Sequence, residues 1–319
     1  MALLPAATFR DCGQPSAAIH SPLLIPLATL EQAWREFFFT PEPAIAVAVF
    51  RIVFGVILVA HGLLLWPHAN LWYGPQGYLP YKQYCEIYGR SRFSVFRFLP
   101  DSDFTVKIVL AVFIAAAVSL SLGLLTTFNT VLTFVLLVSI HNRNPAVLHG
   151  GDDVLRVMAF LLIFSSAGAE LSVDRYAASG QLFVGEYTSP WVLRVMQLQV
   201  SIMYLRAGLA KLGGASWLNG SAAYYPTQVQ EYRRFPLPRP LINTFWIRLA
   251  SWGTIVIELG LGTLIWVKEF RYAVLLGGVA FHLVLEYFLN LQLFGWTMLS
   301  CLLLFVSPTD LMAWLHLAQ

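Results

Sequence analysis

Charged residues are scarce in this 319-residue chain: they make up 12% of it, whereas 58% of the residues are hydrophobic. A soluble domain carries about 25% charged residues, so the composition predicts an integral membrane protein in contact with membrane lipid. The net charge is only +3, and no lysine and arginine cluster marks a nucleic-acid surface or a polybasic lipid-binding segment. A nucleic-acid partner is therefore not expected.

Cysteines and common catalytic motifs are also scarce. Cys12, Cys85 and Cys301 are widely spaced and form no C-x-x-C pair, so they indicate neither a metal site nor a redox compartment. The sequence has no glycine-rich phosphate loop, Ser/His/Asp set or haem-binding motif. Residues 1–28 lack the basic and long apolar regions of a cleaved signal peptide. Any chemistry has to come from isolated polar residues in an apolar chain.

Long hydrophobic runs dominate the sequence. Eight segments approach the length of about 20 residues that a membrane-spanning helix needs. They lie at roughly residues 44–66, 105–123, 127–141, 154–170, 191–212, 244–267, 271–289 and 292–307. Ahead of them, the aromatic-rich stretch Leu30–Phe39 predicts a short helix in the membrane interface. The predicted fold is all-α: a polytopic membrane helical bundle of about eight transmembrane helices, with an N-terminal segment over 1–43, a transmembrane domain over 44–308 and a short tail over 309–319.

The number of spans assigns each connection between them to one side of the membrane. Eight spans place both termini on one side of the membrane, and four connections then share the opposite side: the loops over 67–104, 142–153 and 211–240, and the turn near 290–292. Most polar and glycine-rich segments lie in these connections, which makes that side the candidate active face. Four prolines in 226–240 predict an irregular, ordered loop.

Lys211 lies at the end of the fifth span. Tyr204, Ala207 and Gly208 share its helical face. Ala207 and Gly208 are too small to cover the amine. This predicts a flat apolar pocket beside Lys211, with the Trp217 ring forming one side of it at the level of the lipid headgroups. A neutral amine there can take a proton from a lipid-soluble acid such as a hydroquinone. The alternative is a lysine that extends to the headgroups from a helix end.

The connection over 141–153 contains two histidines, two aspartates and adjacent glycines. In a structural interpretation, Asp152 or Asp153 caps the helix of the fourth span, and Asp152 pairs with Arg156. As chemistry, the same groups could bind a metal or relay protons, with His149 as the candidate site residue. The spacing matches no metal signature, so no metal site is predicted.

His282, Glu286 and Asn290 recur every four residues in the seventh span and form one polar stripe. The favoured interpretation for Glu286 and Asn290 is a hydrogen-bonded seam between helices. A metal held by His282 and Glu286 is the alternative. Further charges in the spans, which we expect to pair internally, are Arg51, Arg206, Arg248 and Glu258.

The stretch Ile202–Leu212, followed by Trp217–Gly220, resembles the segment of vitamin K-dependent gamma-carboxylases that holds their catalytic lysine. The wider group is the HTTM (horizontally transferred transmembrane) family. Other segments that agree are Arg51–Gly55, the Gly150-Gly151-Asp152 turn leading to Ser172–Asp174, and Phe281-His282 with Asn290–Phe294. The resemblance covers about residues 44–308.

The resemblance implies a lyase that uses a lipid-soluble cofactor, a reduced naphthoquinone of the vitamin K hydroquinone type. In that family the lysine removes a proton from the reduced quinone, and the resulting anion reacts with oxygen to give the base that acts on peptidyl glutamate. By position, Lys211 corresponds to that lysine, His282 corresponds to a family histidine of the last helices, and His149 lies near another. The residues expected to bind the cofactor are Tyr204, Ala207, Gly208 and Trp217.

A second hypothesis is a non-catalytic HTTM membrane protein that assists maturation, export or immunity for a secreted peptide. Vitamin K-dependent carboxylases continue into a large soluble domain, whereas only about a dozen residues follow the last span here. A small-solute transporter ranks third, because no inverted repeat is visible. An unpaired Lys211 facing a pocket would favour the enzyme, and a Lys211 paired with a carboxylate would favour the non-catalytic protein.

Membrane orientation is predicted from the resemblance. It places the active face on the extracytoplasmic or lumenal side, with the N-terminus in the cytosol. The excess of basic residues on the candidate active face argues the reverse by the positive-inside rule. Much of that excess lies in a long loop, where the rule is weak, so we follow the resemblance.

Overall fold

A computed structural model describes residues 27–89 and 91–317, and these residues form an almost entirely helical chain. Their fourteen α-helices are α1 Leu27–Phe39, α2 Ile45–Leu65, α3 Ala69–Tyr73, α4 Tyr81–Tyr88, α5 Asp103–Leu122, α6 Thr126–Arg143, α7 Gly150–Leu162, α8 Val173–Ser179, α9 Trp191–Leu212, α10 Ala215–Leu218, α11 Thr244–Gly262, α12 Lys268–Phe288, α13 Phe294–Leu302 and α14 Pro308–Trp314. Short 3-10 helices lie at Trp66–His68, Val95–Phe98, Pro145–Val147, Ala222–Thr227, Arg239–Leu241, Leu264–Trp266 and Leu303–Phe305. The predicted all-α class is confirmed.

In the described part of the chain, three helical segments are long and apolar enough to cross a membrane: Ile45–Tyr73, Asp103–Leu122 and Lys268–Phe288. A fourth results if Phe294–Phe305 and Pro308–Trp314, which meet at 109°, count as one broken span. Helices lie at all eight predicted positions, but the count of eight spans is not confirmed. The physical reasons are length and polarity, since a bilayer needs about 20 apolar residues.

Two helices show why fewer than eight segments meet the length and polarity of a membrane span. Helix α7 has only 13 residues, and its predicted extension to residue 170 is a series of turns. Helix α9 has 22 residues but carries Arg194, Gln197 and Arg206. Two of these polar groups have partners inside the protein: Arg194 and Gln197 hydrogen-bond to each other, and the Gln197 amide also donates to the carbonyl of Leu304. Arg206 is exposed.

The core centres on α2, which packs along α5. Phe50 and Phe54 are fully buried and stack at 5.1 Å between ring centroids. A Cβ atom at Gly55 would lie 2.8 Å from the Cα of Ser121, so only glycine allows the two backbones to approach this closely. Arg51, one turn before, is also fully buried and donates to the carbonyls of Ala167 and Leu171 at 2.9 and 2.6 Å. Its expected internal pairing is thus made by backbone oxygens.

Strands β1, Glu42–Pro43, and β2, Tyr187–Thr188, form a short antiparallel pair. They immediately precede α2 and α9, so the N-terminal ends of these two helices lie at the same end of the bundle. Nearby, Asp174 accepts hydrogen bonds from the backbone N–H groups of Leu125 and Thr126 and from the Thr126 hydroxyl. Burial opposes the charge, but these bonds hold the pKa of Asp174 below its usual value of 3.8.

The terminal segments differ in part from the expectation. The interfacial helix expected at Leu30–Phe39 lies within α1, which begins at Leu27; residues 1–26 of the predicted N-terminal segment lie outside the described residues. The predicted tail over 309–319 contains most of α14, and Leu311 is buried there because it packs into the hydrophobic core.

The proline-rich loop over 226–240 is irregular, as predicted, and holds no α-helix. It docks on the C-terminal end of α12. The N–H of Arg234 donates to the carbonyl of Phe288 at 2.9 Å, and the N–H of Asn290 donates to the carbonyl of Tyr232 at 2.7 Å.

Candidate functional site

Lys211, in the last turn of α9, is ion-paired. Its Nζ donates to Glu258 Oε1 at 2.8 Å and lies 2.7 Å from Oε2, although without hydrogen-bond geometry to the second oxygen. Glu258 comes from α11 and is only 7% exposed. The Trp217 ring lies over the ammonium, 5.0 Å from Nζ to the ring centroid. Lys211 is therefore neither a free amine nor a lysine extended to the headgroups.

The space predicted beside Lys211 is occupied by α11. A Cβ atom at Gly208 would lie 2.8 Å from Leu259 Cδ2 and 3.3 Å from the Leu259 backbone nitrogen. On the facing helix, a Cβ atom at Gly262 would lie 2.8 Å from the Cα of Leu205. The expectation that Gly208 leaves room for a ligand is wrong, because its missing side chain allows two helices to pack closely. Ala207 is half-buried on the same helix.

Two cavities in the described part of the chain lie away from Lys211. One of about 170 Å³ is lined by residues that include Glu42, Ser166 and Trp191, and another of about 470 Å³ is lined by residues that include Tyr81 and Cys85. Neither cavity is lined by Lys211.

Tyr204 and His282 meet in the interior. The Tyr204 hydroxyl lies 2.6 Å from His282 Nε2, and the two residues are 4% and 1% exposed. Which atom donates depends on the histidine tautomer. The bond joins α9 to α12, so His282 makes a hydrogen bond between helices, although the seam was predicted for Glu286 and Asn290. The site role of His282 stays a prediction. The ring of Phe294 lies 5.9 Å from that of His282.

Glu286 does not continue this seam. Arg234 Nη2 donates to Glu286 Oε1 at 2.9 Å, and the backbone N–H of Asn290 donates to the carbonyl of Tyr232. Arg234 belongs to the proline-rich loop, so the expectation of a helix partner for Glu286 is wrong, and the expectation for the Asn290 side chain stays a prediction. These residues hold the loop against α12. Glu286 contacts Gly295, where a Cβ atom would lie 2.8 Å from Glu286 Oε2.

The turn before α7 is a capping box. His149 Nδ1 accepts a hydrogen bond from the N–H of Gly151 at 3.0 Å, and Asp152 Oδ2 accepts one from the N–H of His149 at 2.9 Å. Asp152 therefore caps the helix, as predicted. The predicted partner of Arg156 is wrong: Arg156 Nη2 bonds to Asp153 Oδ1, because Asp152 points back into the bundle.

The structure thus brings the sequence-predicted residues into two contacts, Lys211 with Trp217 and Tyr204 with His282. His149 belongs to a third group, in the α7 turn. Phe294 contacts both this turn and His282, since a Cβ atom at Gly151 would lie 3.3 Å from Phe294 Cδ2.

Sequence patterns did not indicate the role of two residues. They give Glu258 only as a charge within a span, and they do not point to His61. The Nε2 atom of His61 nevertheless lies 3.3 Å from His141 Nε2, and both histidines lie beside Asp152. The available signal was that His61 and Arg51 are the two ionisable side chains in α2.

Comparison with known proteins gives one family and two relatives. The model of the HTTM domain matches residues 39–310. Two proteins of Bacillus subtilis (strain 168) are each 25% identical over 171 residues: the uncharacterized protein YitO, with 51% of this chain and 55% of the relative covered, and the sporulation-delaying protein SdpB, with 50% and 52% covered. The chain thus matches about half the length of these relatives. No solved structure matches.

Proposed function

Because the chain belongs to the HTTM family of membrane proteins, we propose that it assists maturation, export or immunity for a secreted peptide without using Lys211 as a base. The observation that carries this proposal is the ion pair between Lys211 and Glu258. The pair gives Lys211 a structural task, which is to join the end of α9 to α11.

Geometry is the reason that the pair argues against a base. A base must face the group from which it takes a proton, whereas the Lys211 amine already faces a carboxylate. Glu258 lies 2.8 Å from Lys211 Nζ. The indole face of Trp217 adds a cation–π contact to the same ammonium.

The residues present do not fit a reduced naphthoquinone at Lys211. Such a ligand needs a free amine and an open flat space beside it. The Lys211 amine is hydrogen-bonded to Glu258, and Leu259 fills the position beside Gly208. The Tyr204 hydroxyl is hydrogen-bonded to His282.

The name of one relative supports a role in a cellular response. One of the two relatives is a sporulation-delaying protein, and we transfer to this chain only a part in a developmental response. A secreted peptide is our proposed agent of that response.

Deletion of the gene tests the proposal. Peptides secreted by the deletion strain and by its parent are compared by mass spectrometry, together with survival of the deletion strain in medium conditioned by the parent. We expect a secreted peptide to disappear or to change in mass, or survival to fall, and the wild-type gene to restore the parental result. As the matched control, a gene with His68→Ala, which alters an exposed residue, should restore the parental result as fully as the wild-type gene does. Unchanged peptides together with unchanged survival would contradict the proposal.

A second candidate is the gamma-carboxylase-like enzyme, in which Lys211 is the base on a reduced naphthoquinone. The observation that favours it is that Tyr204, its partner His282 and the Lys211–Trp217 contact lie along one face of α9. The Lys211–Glu258 pair would have to open in that case. Mass spectrometry of lipids that co-purify with the protein separates the two candidates, because a stoichiometric naphthoquinone would favour the enzyme.

A further inference from the structure

We propose that His61, His141 and Asp152 form a binding site for one divalent transition-metal ion, with Zn²⁺ as the best-matched ion. The three residues come from α2, α6 and the first turn of α7. The sequence predicted no metal site, because the spacing within 141–153 matches no metal signature and His61 lies 80 positions before His141. The site exists only in the folded protein, and it does not depend on the function proposed for Lys211.

The distances fit a metal centre. One ligand atom from each of the three residues lies within 4.8 Å of the other two. The two Nε2 atoms are 3.3 Å apart, and His141 Nε2 lies 3.7 Å from Asp152 Oδ1. Tetrahedral ligands at zinc bond lengths of 2.0–2.1 Å are separated by about 3.3 Å. Only a small movement of the carboxylate would complete the coordination.

Charge and burial also favour a cation. Asp152 is 4% exposed and His141 is 1% exposed. Among the described residues, no lysine or arginine nitrogen lies within 4.0 Å of the Asp152 carboxylate, and its neighbours at that range are His141 and His149. The carboxylate accepts one hydrogen bond, from the backbone N–H of His149 to Oδ2, and its Oδ1 faces His141. A divalent ion between Asp152 and the two imidazoles would bring a positive charge to this buried carboxylate.

His149 is excluded as a ligand by its own hydrogen bond. Its Nδ1 accepts from the N–H of Gly151, so in the neutral ring the proton is on Nε2. The backbone N–H of His149 bonds to Asp152 Oδ2 at 2.9 Å and orients the carboxylate, while the Nδ1 bond to Gly151 fixes the turn. The His149 Nε2 lies 3.7 Å from the same oxygen. Outer-shell partners of this kind commonly hold the ligands of a metal site in position. His149 is also the exposed member of the group, with 41% of its side chain accessible.

Three protein ligands define the type of site. Structural zinc sites are closed by four protein ligands, whereas a site with three keeps a position for water or for a substrate group. Two imidazoles with one carboxylate match the donor set of such open sites. The geometry therefore points to an open metal site that ties together α2, α6 and α7.

Metal titration tests the proposal. The full chain is purified in detergent with a histidine-free tag, stripped with a chelator and titrated with Zn²⁺, and bound metal is measured by mass spectrometry after dialysis. We expect one Zn²⁺ per chain. His61→Ala and His141→Ala should each abolish stoichiometric binding, and His149→Ala should weaken it about 10–100-fold, as loss of an outer-shell partner does. His68→Ala changes an exposed histidine and should bind like the wild type.

A thermal measurement keeps the test decisive if a variant folds poorly. Zn²⁺ should raise the unfolding temperature of the wild type and of His68→Ala, because an ion that binds only the folded state stabilises it. It should not raise that of His61→Ala. The proposal is overturned if the stripped wild type binds no Zn²⁺, which would leave a direct hydrogen bond between the two histidines. It is also overturned if folded His61→Ala keeps one ion per chain.

Discussion

Loss of the Lys211 charge should destabilise the protein even though the residue lies near a helix end. In Lys211→Met, Glu258 stays buried at 7% exposure without its partner. Removing one partner of a buried ion pair costs about 3–5 kcal/mol. Since 20% of the Lys211 side chain is exposed, we expect the lower end, about 3 kcal/mol. That corresponds to a change of roughly 100-fold in the unfolding equilibrium.

Denaturant titration of the detergent-solubilised protein, followed by tryptophan fluorescence, measures this difference. Lys268→Met removes an exposed lysine and should change stability little, which makes it the matched control. Combining Lys211→Met with Glu258→Leu should recover most of the loss, because apolar residues can replace a buried pair at little cost. The reasoning is refuted if Lys211→Met unfolds like the wild type, or if the double variant is less stable than the single one.

Three further changes probe other parts of the structure. Gly208→Leu should cost about 1–3 kcal/mol by overpacking the contact of α9 with α11; a wild-type unfolding midpoint would contradict this packing. Asp174 has a lowered pKa in the folded state, so its contribution is present above its ordinary value of 3.8 and is lost as the pH falls through the lowered one. Asp174→Asn should therefore flatten the acid side of a plot of unfolding temperature against pH, and an unchanged slope would argue against it. In a Cys12→Ser background, an impermeant thiol reagent added to intact cells should label the half-buried Cys85 but not the buried Cys301; labelling of Cys85 only after permeabilisation would place this face in the cytoplasm.

Hydrophobicity made most of the helix positions predictable. A 20-residue apolar run such as α5 can satisfy its backbone only as a helix in a membrane, and its limits Asp103–Leu122 lie within two residues of the prediction. The loop over 67–104 was harder, because α3 and α4 are short and are stabilised by packing rather than by length. Tyr73 and Tyr84 are buried there.

The pairings of polar residues were not predictable, because they depend on which helices meet. Lys211 and Glu258 are 47 positions apart, and His61 and His141 are 80 apart. Periodicity shows which side chains share a face of one helix, but it contains no information on the facing helix. Gly208 shows the same limit, since a small residue fits an open pocket and a close helix contact equally well until α11 is in place.

The most direct test of the central claim is the activity of Lys211→Arg. An arginine keeps the positive charge and can pair with Glu258, but its guanidinium stays protonated and cannot act as a base. The variant is expressed in the deletion strain, and its amount in the membrane is matched to that of the wild type. We predict that Lys211→Arg restores the secreted peptides and the survival of the strain. A variant that is folded and present at the wild-type level, yet behaves like the deletion, would contradict a structural role for Lys211 and would favour the base.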